Sequence, residues 1–228
     1  MAKKPDELLK LVQPWGIEKE TRKYMEKYLN KGGKTVDVDS WIRDRRTAEQ
    51  FAEQMKAYWA VEDAFASWLE KNLKKKHPGV RVTLIGTDRN REIIQGQSPK
   101  GKVTGELDYN VNFLDGPNSI PVEFQFSAVT LNSYDVKKNK VNKAEKQNGI
   151  ILFAFLPIGK FTIMTANYIK RHGQILINSR LGGKETWNIP SDQLILKDKD
   201  YQIGKDFLPK DISDIIRENI YLIQQRKK

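Results

Sequence analysis

An α/β fold, with strands and helices interleaved along one chain, is what the sequence predicts, and three stretches predict it. Between Gly105 and Gln125, two segments alternate polar and apolar residues around the turn chemistry of Asp115-Gly116-Pro117-Asn118. From Thr47 to Lys76, apolar and aromatic residues recur three and four apart, the spacing of one long amphipathic helix. Ile150 to Leu156 is apolar at every position, which marks a strand buried on both faces. The 228 residues divide on this reading into a small helical appendage over residues 1–46 and an α/β core domain over residues 47–228.

Taken in order, Pro5-Asp6 opens a helix through Leu8, Leu9, Leu11 and Val12 that Pro14 and Gly16 stop. Ile17 to Leu29 is a second helix, ended by Asn30-Lys31-Gly32-Gly33. Arg43, Arg45 and Arg46 follow as a cluster able to touch phosphate or to lie as a solvated face. The long helix carries Phe51, Met55, Tyr58, Trp59, Phe65, Trp68, Leu69 and Leu73 on its apolar side and Glu62 in its middle. His77-Pro78-Gly79 ends it, and Val80 to Gly86 alternates as a strand. Ile93-Ile94 is a short apolar piece, and Gln95 to Gly101 a loop. In the central pair, Leu107, Tyr109, Val111 and Phe113 share one face of the first strand, and Val122, Phe124 and Phe126 one face of the second.

If both apolar faces meet one core, Asp108, Glu123 and Gln125 converge on the other side of the sheet. Two carboxylates held close repel unless a proton or cation stands between them, and oxygen donors of this kind suit a hard divalent ion. The same pattern also suits a strand that shows its polar side to water.

Thr130 to Gln147 reads as a helix closed by Asn148-Gly149, with Lys137, Lys138, Lys140, Lys143 and Lys146 crowding its polar side. Those lysines form a phosphate-contacting surface or an ordinary exposed face. Phe161 to Met164 and Gln174 to Asn178 read as strands, Asn167 to Arg171 as a short helix, and Ser179 to Thr186 as a surface loop. A final helix brings Ile212, Ile215, Ile216, Ile220 and Ile223 to one side.

Composition narrows the chemistry. With no cysteine, disulfides, zinc-thiolate sites and thiol nucleophiles are excluded, and two histidines leave little for a histidine-rich metal site. The formal charge of +11 favours a polyanion partner, nucleic acid before membrane, although a lysine-rich soluble surface gives the same sum. No apolar run approaches the roughly 20 residues of a spanning helix, and MAKKPDELLK lacks a secretory segment, so a cytoplasmic, nucleoid-associated protein is expected. Neither a Gly-rich phosphate loop nor a G-x-S-x-G elbow occurs.

Residues 47–156 thus run helix, strand, strand, strand, helix, strand, with acids on the second and third strands. This order resembles the core of the PD-(D/E)xK nuclease superfamily. Gly105-Glu106-Leu107-Asp108 matches the segment of the first acid, Glu123-Phe124-Gln125 the second half, and Glu62 an additional acid on the first helix. Leu107 stands where the family has proline, and Gln125 where it has the lysine that orients the attacking water. Gln125 can hydrogen-bond but brings no charge, for which Lys137, Lys140 or a second metal ion are substitutes.

The resemblance implies a restriction-endonuclease-like mixed β-sheet flanked by helices. It also implies Mg²⁺-dependent hydrolysis of phosphodiester bonds in double-stranded DNA, with Mn²⁺ as a substitute ion, by an enzyme acting as a homodimer. Asp108, Glu123 and the carbonyl of Phe124 would hold the metal, with Glu62, Asp108, Glu123 and Gln125 as the catalytic set. Loss of the lysine also leaves open a catalytically inactive nucleic-acid-binding module on the same fold.

Overall fold

The computed structural model describes residues 5–29, 48–85, 107–114, 119–179, 183–204 and 207–208, and only the backbone of residues 48–54. Its helices are α1 (Pro5–Val12), α2 (Glu18–Leu29), α3 (Ala48–Lys74), α4 (Lys138–Lys146) and α5 (Ala166–His172). Its strands are β1 (Arg81–Leu84), β2 (Tyr109–Asn112), β3 (Ser119–Ser127), β4 (Ser133–Lys137), β5 (Ile150–Phe155), β6 (Lys160–Thr165), β7 (Gln174–Asn178), β8 (Lys184–Pro190) and β9 (Lys197–Asp198).

Six strands form one sheet in the order β1-β2-β3-β5-β6-β9. Only the β3–β5 pair in it is parallel, so the sheet is mixed. A parallel neighbour demands a crossover, and the chain between β3 and β5 supplies one that contains both β4 and α4. The remaining strands make a separate antiparallel sheet, β4-β8-β7.

The apolar character of β5 follows from its place between two cores. Ile150, Leu152 and Ala154 face a cluster with Trp59, Phe65 and Leu69 of α3 and Val122 and Phe124 of β3. Ile151, Phe153 and Phe155 face the other way, onto Val141 and Ala144 of α4, Ile169 of α5, and Tyr134 and Val136 of β4. The N-terminal helices share the first core through Leu8, Leu9, Val12, Met25 and Tyr28. Trp15 anchors them, its ring 4.6 Å from Phe65 and 5.1 Å from Trp68, both edge-on. At the far end of α3 the buried Asn72 amide donates to the Tyr201 carbonyl, and its oxygen accepts from the Ile203 N–H, tying down the segment after β9.

Two expectations are corrected. Residues 133–137 are not the start of a helix but a strand, since Tyr134 and Val136 are buried while Ser133, Asp135 and Lys137 are half-buried, a period of two. The helix begins only at Lys138. Likewise Lys184 to Thr186 belong to β8 rather than to a loop: all three pair with β7, and Thr186 pairs with Lys137 of β4 as well. Pairing with β7 there, and with both neighbours from Thr186 to Asn188, outweighs the weak local strand preference of Lys184-Glu185.

At the end of α4, Asn148 takes the left-handed conformation (φ 50°). Gly149 is needed for space instead. A Cβ there would lie 2.6 Å from Leu107 Cδ1 and 2.7 Å from the Pro121 carbonyl. The arginine cluster at 43–46, Ile93-Ile94, the 95–101 loop and the helix expected at Ile212 to Ile223 lie outside the described residues.

Leu152 is fully buried in the central strand. Leu152→Ala should therefore lower the unfolding free energy by about 2–5 kcal/mol. Urea denaturation checks this as a shift of the midpoint without a change of slope.

Candidate functional site

Antiparallel pairing of β2 with β3 sets Tyr109 opposite Val122. That register places Asp108, the residue just before β2, beside Glu123. Alternation along β3 turns Val122 and Phe124 into the α3 core and Glu123 the other way, under α4. The side that carries the acids is therefore largely, though not wholly, covered. Glu123 is 1% exposed and Asp108 19%.

A carboxylate so buried needs a partner, and α4 provides it. Val141 and Ala144 hold the helix against the sheet. Lys140, on the same side, lies with Nζ 2.6 Å from Glu123 Oε1 and 3.4 Å from Asp108 Oδ1. One ammonium thus joins both acids. Gln125 Nε2 donates to Glu123 Oε1 at 2.9 Å and to the Phe124 carbonyl at 3.0 Å. Glu123 Oε2 is buried with no hydrogen-bond partner among the described residues.

The charges respond accordingly. Burial, and then the neighbouring charge of Asp108, push the Glu123 carboxyl up to about 8, against the pull of Lys140. Burial by itself would lower the Lys140 ammonium, but Glu123 and Asp108 outweigh it and hold it above its ordinary value. Lys137 goes the other way, lowered by burial and then by Lys184 and Lys140.

Of the residues singled out in the sequence, Asp108, Glu123, Gln125 and the Phe124 carbonyl are brought together. Glu62 sits half-buried on α3, which packs on the other face of the sheet. No group of three or more acids or histidines placed to hold a metal occurs among the described residues. The lysines from Lys137 at the end of β4 through α4 are not one exposed row. Lys140 is turned inward, Lys138 pairs with Glu185 at 3.0 Å, and Lys137 and Lys143 are half-buried.

A carboxylate that escaped the sequence reading is Asp63 on α3. It accepts hydrogen bonds from Tyr28 and, at 2.6 Å, from Tyr109, the residue next to Asp108. Its only signal in the sequence is an acid on the apolar side of an amphipathic helix. The residues at the centre fit a hard divalent ion in kind: two carboxylates, a main-chain carbonyl and one carboxylate oxygen left without a donor.

No protein-family model matches the sequence, and no curated protein matches it. Among solved structures the chain is similar to Hjc, a Holliday junction resolvase from the archaeal hyperthermophile Archaeoglobus fulgidus. The identity is 10%, the TM-score 0.35, and the match covers 58% of this chain and 87% of that one. A likeness of that size says nothing of what this chain does. The mixed sheet flanked by helices is in any case visible in its own strand pairing. No described helix is long and apolar enough to cross a membrane.

A group whose pKa is raised in the folded state binds its proton more tightly there than in the unfolded chain. The stability contributed by Glu123 is therefore complete below the ordinary value of 4.5 and lost as pH rises through about 8. Urea unfolding across that interval should show stability falling with pH, and Glu123→Gln should flatten the fall.

Proposed function

We propose that the chain is a metal-dependent endodeoxyribonuclease of the PD-(D/E)xK kind, acting on double-stranded DNA as a homodimer. The observation that carries this reading is the meeting of Asp108, Glu123, Gln125 and Lys140 at one place on the sheet, from segments distant in sequence. Lys140 brings the positive charge that Gln125 lacks. On this reading the ammonium from the following helix does the work that the family gives to a lysine two residues after Glu123.

Asp108, Glu123 and the Phe124 carbonyl are the groups that would hold Mg²⁺ or Mn²⁺. When bound, such an ion supplies Lewis acidity toward a phosphate oxygen and a more acidic water. The chain's own residues do the rest. Lys140 neutralises charge that grows on the phosphate oxygens as the attacking oxygen closes in. Gln125 spends its amide nitrogen on Glu123 and Phe124, which leaves its carbonyl oxygen to accept a hydrogen bond from the water and orient it. The surface cations of a chain carrying +11 hold the DNA backbone.

A second reading is a nucleic-acid-binding module without catalysis. What favours it is that Lys140 already balances the two acids, with no third acid gathered beside them among the described residues.

Plasmid nicking with Mg²⁺ or Mn²⁺ against EDTA separates the two. On the nuclease reading, Asp108→Ala and Glu123→Ala each abolish cleavage. Lys140→Ala lowers it by about 10²–10³-fold, the loss usual for one charge-stabilising donor. DNA affinity stays within a few-fold in each. Cleavage that survives Asp108→Ala, or that needs no metal, removes this assignment. Binding itself is read from the salt dependence of the DNA affinity, whose logarithm should fall linearly with the logarithm of salt concentration.

A further inference from the structure

β7 is one edge of the three-stranded sheet. Its inner side pairs with β8 from Gln174–Asn188 to Asn178–Lys184, and no described strand pairs with its outer side. An edge strand presents unpaired N–H and C=O groups, a template for another strand. Proteins that stay monomeric blunt such edges with charges, proline or a bulge. β7, with the sequence QILIN, has none of these, in a chain of which 30% is charged. Its side chains are exposed as well: Ile177 at 77%, Ile175 at 43% and Leu176 at 42%. Ile175 and Ile177 share one face of the strand and Leu176 lies on the other, so an edge with no described partner is apolar on both of its faces.

The order of residues says what fits there. Read from either end, the strand is amide, isoleucine, leucine, isoleucine, amide. Laid antiparallel on a copy of itself about Leu176, it sets Gln174 opposite Asn178 and Ile175 opposite Ile177. Leu176 then meets its own equivalent, and every cross-strand pair is matched in chemistry. No charge is brought against a like charge, although the chain as a whole carries +11. A nucleic acid finds no cation on this strand. The strand is also held firmly for docking. Asp135 of β4 accepts from Asn178 of β7 at 2.7 Å and from Thr186 and Asn188 of β8 at 2.9 and 3.1 Å.

We propose that β7 is a homodimerisation strand. It pairs antiparallel with β7 of a second copy across a twofold axis through Leu176, joining two three-stranded sheets into one of six strands. The proposal stands whether or not Asp108 and Glu123 hold a metal, and its test does not involve nuclease activity.

Sedimentation equilibrium of the full chain should give a dimer, tightened by added salt because screening relieves the repulsion between two cationic bodies. Ile175→Lys with Ile177→Lys places like charges opposite each other and should weaken the dimer by about tenfold or more, with an unchanged circular-dichroism spectrum. Ile175→Glu with Ile177→Lys sets opposite charges across the axis and should restore it. Leu176→Cys supplies the only thiol in the chain and should give a covalent dimer on mild oxidation, whereas Lys146→Cys, on α4, should not. A wild-type chain that sediments as a monomer overturns the proposal, whether the strand is then bare or covered by another segment of the same chain. So does a dimer that the lysine pair leaves intact and Leu176→Cys fails to cross-link.

Discussion

A carboxyl group enclosed by protein is tolerated only when it holds its proton or a nearby charge answers it, and the contact with Lys140 is what answers Glu123 here. Much of the architecture can be understood as what this contact requires. Glu123 is buried because β3 lies inside the sheet, flanked by β2 and β5, and because α4 closes the face to which its side chain points. Lys140 reaches it because Val141 and Ala144 press α4 onto that face. Gln125 binds the same carboxylate oxygen from two residues along the strand. The result is a polar centre inside an apolar layer, in which three side chains restrain one another and one oxygen has no donor among the described residues.

The two cores on either side of the sheet divide the labour. The α3 side is built from large apolar groups and the Trp15 anchor, with Asp63 held by two tyrosine hydroxyls. One of these belongs to Tyr109, so the first strand of the acid pair is gripped from the side opposite to its acid. The α4 side carries Asp108, Glu123 and Lys140. Rigidity and chemistry therefore lie on different faces of the same strands, joined through β2 and β3.

How much of this was legible in the sequence follows the range of the interactions concerned. The period-two pattern around Tyr109 and Phe124, the all-apolar run of β5 and the helical period of α3 are local, and each maps directly onto the structure. The approach of Asp108 to Glu123 was legible too, because a short turn between alternating strands nearly fixes their register. What the sequence concealed depends on remote partners. The strand character of residues 133–137 exists because β8, about fifty residues away, pairs with it. Asp63 looked like any acid on a helix until Tyr28 and Tyr109 closed on it. The inward turn of Lys140 among its neighbours on α4 was only a possibility of position, since five lysines in one helical stretch carry no mark of which one faces the sheet.

The junction between β4 and α4 has a further consequence. The strand ends at Lys137 and the helix starts at Lys138, with no intervening loop to take up slack. The height at which Lys140 stands above the acids is therefore set by the rung on which β4 sits against β8. Moving β4 by one rung is a displacement of about 3.4 Å, as long as the wider of the two gaps that the ammonium spans. The small sheet is in effect a ruler, and the charge balance of the centre is read off its graduations.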